Sequence, residues 1–472
     1  MDRLETLRIL SQAADWDAAA PSTRIEQSSC APLDSAHTKA PSCPASEASR
    51  AGSSSPPDSA VREDAAYGIC RVKRLGGGSV PILKVLLSNA CSYNCAYCVN
   101  RRSSNVRRAS FQPDELARTV SDFDARGRIH GAFISSGVLG TPDETMEQLI
   151  WTARSLRERY GYQGYLHLKV IPGASPDLVR LAMRYATRVS VNIELPSEES
   201  LVRIAPDKSP DAILSPMSLI AEHMRELQLN KADKPASDSL STIAASPLTA
   251  GQTTQMIVGA SPEPDSTILA LARHLYQSFN VRRVYYSAFR PEGTDPSLPH
   301  PAAPPYTREF RLYQADMLFR WYGFEPDELF EQSEYLDEDL DPKAAWALRH
   351  PGLFPVELMT ADFLQLVRVP GIGPTAARRI LEARKKGGLD FQHLQKMRIR
   401  LRNAAWFITL RGKTPFMEAG FDAFLPDDPG FGVFAPGFAV SRALDHPEIL
   451  REIIKDKKPP VPPTQQELDF LS

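Results

Sequence analysis

Cys91-Ser92-Tyr93-Asn94-Cys95-Ala96-Tyr97-Cys98 sets three thiols in a CxxxCxxC spacing, directly behind the apolar run Val80-Pro81-Ile82-Leu83-Lys84-Val85-Leu86-Leu87-Ser88-Asn89-Ala90. The run reads as a buried strand, so the chain must deliver three thiols to the mouth of a sheet. Three thiolates within eight residues can hold three irons of a [4Fe–4S] cube and leave the fourth iron without a protein ligand. A cluster that only carries electrons normally takes a fourth cysteine. The open iron therefore implies a site for a small molecule. Zinc is the other metal to weigh, but a closed structural zinc site wants four ligands, and no fourth Cys or His lies nearby.

The six cysteines are Cys30, Cys43, Cys70, Cys91, Cys95 and Cys98, with none from Val99 to Ser472. Cys30 and Cys43 fall in an Ala/Ser/Pro-rich tract, about Asp17 to Asp64, whose composition cannot bury enough surface to fold. They read as lone thiols or as an auxiliary cluster; Cys70 reads as a core thiol. No run of 18 apolar residues indicates a membrane span. The start, Met1 to Leu10, is a charged amphipathic helix without the apolar core of a signal peptide. Reduced thiolates then point to the cytoplasm.

CxxxCxxC with an aromatic residue, Tyr97, just before the last cysteine resembles the signature of the radical S-adenosylmethionine (SAM) enzymes. The resemblance implies a [4Fe–4S] cluster whose open iron chelates the amino and carboxylate groups of SAM. One electron, from a donor such as a flavodoxin or ferredoxin, then splits SAM into methionine and a 5′-deoxyadenosyl radical.

Past the cysteines, strand and helix patterns alternate. Strands are predicted at 81–89, 130–135, 164–171, 187–194, 253–259 and 283–289. Helices are predicted near 112–126, 141–160, 175–185, 215–227, 263–279 and 306–322. Six βα units in a row argue for an α/β fold with a parallel sheet curled into a partial barrel. The family resemblance implies the same (β/α)6 architecture. Asn230 to Gly251 reads as an insertion on the rim.

Ligands in such barrels sit at the C-terminal strand ends. Ser135-Ser136-Gly137 lies where the family has a small motif that meets the amino group of SAM. Asn192 and Glu194 are placed for the ribose hydroxyls. Gln255-Met256-Ile257-Val258-Gly259 partly matches the adenine-contact strand of the family, with the glutamate one place late at Glu263, and Tyr286 is placed over the adenine edge. The expected cofactor residues are thus Tyr97, Ser135, Ser136, Gly137, Asn192, Glu194, Ile257, Gly259 and Tyr286, with Cys91, Cys95 and Cys98 on the metal. Arg101, Arg102, Arg107 and Arg108 crowd the next loop, either for an anionic partner or as a solvated arginine loop.

Residues 362–381 form a second signal. An apolar helix breaks at Val369-Pro370-Gly371-Ile372-Gly373 and another opens at once. The glycines let the backbone approach a phosphate, and the next helix presents its positive end to the same anion. The pattern resembles the helix-hairpin-helix DNA-binding motif, with a plain helical hairpin as the alternative. Expected DNA contacts are Pro370, Gly371, Ile372, Gly373, Thr375, Arg378 and Arg379. From Thr360 to Lys413 there are twelve basic and three acidic residues, a surplus of nine positive charges in a chain of net charge −2. Endonuclease III-type glycosylases combine such a hairpin with an iron–sulfur cluster. Lyase members carry a lysine where this chain has Thr375, so the hairpin reads as a reader and not the catalyst.

The tail holds Gln465, Leu468 and Phe470 beyond a Pro-rich spacer, resembling the peptide that docks repair proteins on the replication sliding clamp, or a plain tail. The expected organisation is an N-terminal helix and disordered tract over 1–64, a radical SAM barrel over 65–325, an all-α helix-hairpin-helix module over 326–415 and an extension over 416–472. Across roughly 65–415 the chain resembles a bacterial family described as putative DNA modification/repair radical SAM proteins. That implies hydrogen abstraction from DNA. RNA modification and a non-catalytic iron–sulfur scaffold on DNA are the alternatives. No cysteine after Cys98 is available as a late hydrogen donor or second catalytic thiol, so the catalytic residue is left open.

Overall fold

Six of the apolar runs become six parallel strands. The computed structural model describes residues 2–14, 64–73, 79–232, 248–291, 295–301, 303–397, 399, 401–417 and 444–456. Cys30 and Cys43, nearly all of the 17–64 tract, residues 233–247 of the rim insertion, and Gln465, Leu468 and Phe470 lie outside the described residues. The strands are β1 (Ile69–Lys73), β2 (Ser79–Leu86), β3 (Gly131–Ser135), β4 (Tyr165–Lys169), β5 (Arg188–Ser190), β6 (Gly251–Val258) and β7 (Val281–Ala288). They form one seven-stranded sheet in chain order, β1 antiparallel to β2 and every later pair parallel. The sheet curls into a partial barrel.

Parallel neighbours need crossovers. These are α2 (Pro113–Ala125), α3 (Pro142–Arg154), α4 (Pro176–Tyr185), the pair α5 (Glu198–Ile204) and α6 (Pro210–Ala232), and α7 (Asp265–Ser278). Ahead of them α1 (Arg3–Ala14) buries Leu7, Leu10 and Ala14. Local chemistry sets the starts: Thr141 and Glu144 close a capping box on α3, with Pro142 behind them. The helix predicted over 141–160 is α only to Arg154 and finishes as a π turn, Ser155–Arg159. Strand β1 and helix α5 had no counterpart among the predicted elements.

Register separates the two faces of the sheet. Val85, Ile134, Leu168 and Val189 line up across β2 to β5 on the helix-covered face, each with no measurable exposure. The inward face pairs Lys84 with Phe133 and Phe133 with His167, and the last two rings meet at 4.5 Å. An apolar outside and a polar inside are what a barrel that encloses a ligand requires.

The free edge of β7 is covered by α8 (Tyr306–Trp321) and by Tyr276 of α7. Val284 N–H donates to the Tyr276 hydroxyl at 3.2 Å and Tyr286 N–H to the Tyr313 hydroxyl at 3.0 Å; Ala288 N–H donates to Glu309 Oε2 at 2.7 Å. Three edge donors that would otherwise invite another strand are thereby satisfied.

Beyond α8 the chain is mainly helical: α9 (Pro326–Leu329), α10 (Pro342–Arg349), α11 (Phe363–Arg368), α12 (Pro374–Lys385), α13 (Phe391–Lys396), α14 (Leu401–Ala404) and α15 (Pro447–Ile454). A two-stranded parallel ladder, β8 (Val356–Glu357) with β9 (Ile408–Thr409), ties the region together. Buried Trp346 anchors it, edge-on to Phe324 at 5.1 Å and to Phe354 at 6.2 Å. The buried apolar residues run as one cluster from the barrel into this region. No helix among the described residues is long and apolar enough to cross a membrane.

Candidate active site at the mouth of the barrel

The cysteine loop leaves the end of β2 and is stapled on both sides. Asn89 donates from Nδ2 to Arg107 O and accepts from Ala109 N–H, both at 2.8 Å. Ser92 N–H donates to Val138 O at 2.8 Å, and Ala96 N–H reaches Ile204 O at 2.8 Å. Cys95 is buried, while Cys91 and Cys98 are half-buried. Val138 N–H points at Cys91 Sγ from 3.4 Å.

Gly137 explains why that approach is possible. A Cβ there would meet Ala90 O at 2.4 Å and Cys91 Cβ at 3.2 Å. Its own N–H donates to Ser88 O at 2.7 Å. Ser135, at the end of β3, is buried and accepts Leu87 N–H on its carbonyl at 2.7 Å, while Ser136 Oγ lies 3.5 Å from Ser88 O.

The four loop arginines are engaged within the chain. Arg108 donates to the carbonyls of Asn89, Asn100, Arg101 and Ser104 and so clamps the loop from beneath. Arg101 pairs with Asp295 at 3.3 Å, Arg102 donates to Ser92 O at 3.1 Å, and Arg107 pairs with Glu5 at 2.8 Å. The geometry is neither an open anion patch nor a wholly solvated loop: Arg101 and Arg108 clamp the loop, while Arg102 and Arg107 lie exposed.

Strand β5 ends at Ser190, but the chain stays beside β6 as far as Glu194. Glu194 N–H donates to Gln255 O at 2.9 Å, and its carbonyl accepts Ile257 N–H at 2.7 Å. These bonds hold Glu194 at φ 65, a left-handed conformation that a side chain with a Cβ rarely adopts. Its carboxylate meets Lys208 Nζ at 2.9 Å, and the same ammonium donates to the Tyr97 hydroxyl at 3.0 Å. Lys208 lies in the turn between α5 and α6, where neighbouring Asp207 accepts Asn94 N–H at 2.6 Å. Neither Lys208 nor Asp207 was anticipated. No periodicity marks them, and only the fold brings their loop against the cysteines.

Burial dominates the electrostatics. It pushes the Cys98 thiol up to about 12, with Cys95 adding to the effect, and raises Cys95 against the opposing pull of Lys208. Burial alone would depress Lys208, but Glu194 and Cys95 hold the ammonium above its usual range. Burial also drives the Tyr97 hydroxyl well upward.

Of the other expected cofactor residues, Asn192 is buried, with Nδ2 donating to Gln255 Oε1 at 3.0 Å and Oδ1 lacking a partner among the described residues. Ile257 is buried beside Glu194. Gly259 adopts φ 85, and a Cβ on it would meet Pro305 Cγ at 2.8 Å. Tyr286 lies elsewhere. Its hydroxyl donates to Asp316 on α8 at 3.2 Å and its ring packs edge-on to Tyr313, so it belongs to the helix-covered face.

Residues 85–228 match the model of the Radical SAM superfamily. A radical SAM region therefore spans residues 85–228 of the chain. The protein is a radical SAM enzyme, with a [4Fe–4S] cluster and SAM as its cofactors and a reductant as a requirement. No curated protein matches the chain. Among solved structures, similarity extends to HydG, a maturase of the [FeFe]-hydrogenase: 13% identical, 82% of this chain and 79% of that one, TM-score 0.35. The radical SAM methyltransferase TsrM from Kitasatospora setae is 13% identical over 45% of this chain and 37% of that one, TM-score 0.32. A radical SAM methyltransferase from Sphaerobacter thermophilus is 15% identical over 51% and 74%, TM-score 0.31.

Away from the mouth of this radical SAM fold, α11 and α12 form a hairpin. Gly371 takes φ 83 and Gly373 caps α12. Pro370 and Ile372 are buried in the hairpin, whereas Thr375, Arg378 and Arg379 are exposed on α12. Lys343 of α10 donates to Val367 O at 2.9 Å and Ile372 O at 2.6 Å, with the Tyr322 ring 4.6 Å from its ammonium. Arg368 is spent inside, paired with Glu328 and stacked on Phe324 and Trp346. Arg384 donates to Ala361 O at 2.6 Å.

Proposed function

We propose that this radical SAM enzyme acts on DNA, taking a hydrogen atom from a base, sugar or lesion held by the hairpin. The observation that carries the reading is the Gly371–Gly373 turn, which opens directly onto a twelve-residue helix with Thr375, Arg378 and Arg379 exposed one turn apart. Helix starts offer unpaired N–H groups and a positive dipole end, and arginines one turn on extend that charge along a phosphate backbone. On this reading residues 65–325 are the catalytic barrel and 326–415 the DNA-gripping region. An intact duplex hides its bases, so damaged or flipped nucleotides are the natural substrates.

Cys91, Cys95 and Cys98 would hold the cluster. Burial and mutual proximity force two of the thiols toward the neutral form, a penalty that binding iron as thiolates removes. Among the described residues no three His, Cys, Asp or Glu side chains gather tightly enough for a single ion; a cube takes each cysteine on a different iron and asks for no such convergence. With SAM, the cluster supplies a carbon radical able to abstract hydrogen.

The chain's own residues position and neutralise. Lys208 balances Glu194 and the thiolate charge. Gly137, with Ser135 and Ser136 before it, keeps the β3 backbone close to the cysteine loop. The open Asn192 Oδ1 offers an acceptor to a cofactor hydroxyl, while Ile257 and Gly259 shape the β6 end. Tyr286 is left out, because Asp316 holds its hydroxyl.

The test is duplex binding against salt concentration for the wild type and for Arg378→Ala/Arg379→Ala. Losing two phosphate contacts should weaken binding and flatten the log–log salt slope by about two. DNA exposed to reduced enzyme and SAM is then hydrolysed and its nucleosides weighed by mass spectrometry. An unaltered slope together with unaltered nucleosides overturns the reading.

A further inference from the structure

Below the level of the cysteine loop, the inward face of the barrel holds a row of polar side chains that the reaction described above does not use. Register aligns Ser190 on β5 with Thr253 on β6, and Thr253 with Arg283 on β7. All three are buried: Arg283 is 2% exposed and the other two not at all. Ser190 Oγ, Thr253 Oγ1, and Arg283 Nε and Nη1 lack hydrogen-bond partners among the described residues. One pleat higher, Asn192 Oδ1 is in the same condition.

Four unpaired polar atoms in one row are costly. Each buried group without a partner has given up its hydration with nothing in return, and a charged one loses most. The neighbours do not settle the debt: Tyr285 and Tyr313 place ring faces 5.7 and 5.4 Å from the guanidinium carbon. The acid whose charge acts on it, Asp316, gives Oδ1 to Tyr276 and Tyr286 and turns Oδ2 toward Arg320 at 3.5 Å, with no hydrogen bond to the Arg283 guanidinium among the described residues. The inward positions of β2 to β7 contain no Asp or Glu among the described strand residues. An arginine with two open donors, flanked by two hydroxyls and stacked between aromatic rings, is complementary to an oxyanion.

We infer that Arg283, Thr253 and Ser190 form an oxyanion-binding subsite inside the barrel that anchors a phosphate or carboxylate group of the substrate. Arg283 lies three residues before Tyr286, which is level with Met256 and hence with Glu194. At about 3.3 Å per residue the subsite is about 10 Å below the Glu194 level, which separates it from the cluster mouth. The inference goes beyond the DNA reading and does not need it.

The experiment uses the full-length, cluster-reconstituted enzyme, with inorganic phosphate and glutarate as separate probes, read by calorimetric titration and thermal shift. Wild type should bind at least one probe and melt higher in its presence; which probe wins names the source of the oxyanion. Arg283→Gln should weaken that binding at least tenfold. Thr253→Val removes a hydroxyl that has no partner, so it should melt no lower than wild type and yet bind several-fold more weakly. Failure of both probes to bind, or equal affinity in wild type and both variants, overturns the subsite. Loss of duplex binding in the hairpin variants is read separately, so either proposal can fail alone.

Discussion

Lys208 Nζ and Glu194 Oε1 are 2.9 Å apart, with side chains only 11% and 6% exposed, and the Tyr97 hydroxyl accepts from the same ammonium. The pair joins a strained turn beside β6 to the loop that carries the cysteines. Removing one member leaves a buried charge alone; removing both does not.

Lys208→Met should therefore destabilise the protein by about 3–5 kcal/mol, whereas Lys208→Met/Glu194→Gln should recover most of that loss. Urea denaturation of the two variants measures it. A single variant within about 1 kcal/mol of wild type contradicts the structural role given to the pair. Neither variant should support SAM cleavage at the normal rate, because both lose the cation beside the thiols.

Gly137→Ala drives a methyl group into Ala90 O. Overpacking of this kind costs about 1–3 kcal/mol, and here the yielding part is the cysteine loop. Iron bound per chain after reconstitution should fall well below the wild-type level, while far-UV circular dichroism stays the same. Full iron loading would show that the loop tolerates the shift.

Glu309 gives the fold a pH dependence. Burial pushes its carboxyl up to about 7, so the folded state binds a proton that the unfolded chain has already lost. Stability is fully present below the ordinary glutamate range and is lost as pH rises from about 4.5 to 7, by about 3 kcal/mol at most. Glu309→Gln can still accept from Ala288 N–H and should remove this decline, giving a higher melting temperature at pH 8 and little change at pH 5. Parallel stability profiles for the two proteins would contradict it.

Lys343 acts in the other direction and in another window. Burial lowers its ammonium to about 7, so between roughly pH 7 and 10 the unfolded chain holds the extra proton and stability climbs with pH. Lys343→Met should flatten that climb. It also strips Val367 O and Ile372 O of a donor, at about 1–3 kcal/mol each. Amide exchange across 367–373 should quicken, and duplex affinity should drop although Arg378 and Arg379 remain. Unchanged exchange would show that the turn holds without its tether.

The barrel was legible because each parallel strand keeps apolar residues on its helix-covered face, Val85, Ile134, Leu168 and Val189 among them, and strand and helix patterns alternate. Even the short β5 was found through Val189, Val191 and their neighbours. Strand β1 was not, since five residues with Arg71 and Lys73 among them carry little apolar signal and gain their place only by pairing with β2. The mouth was half legible. Cysteine spacing points to Cys91, Cys95 and Cys98 directly, but Lys208 reaches them across more than a hundred residues. The loop arginines looked alike in sequence, yet hydrogen bonding to carbonyls makes Arg108 a clamp and leaves Arg107 at the surface. Tyr286 was misjudged by one position of pleat: Tyr285 and Ser287 face inward, and Tyr286 faces α8.

The last strand of the barrel has its outer rim filled by Tyr276, Tyr313 and Glu309. Two copies of the protein consequently cannot zip their sheets together along β7, and no extended peptide can be stitched onto that side. A ligand that enters the interior at the strand ends passes the cysteines, and so meets the source of the radical before it meets Arg283.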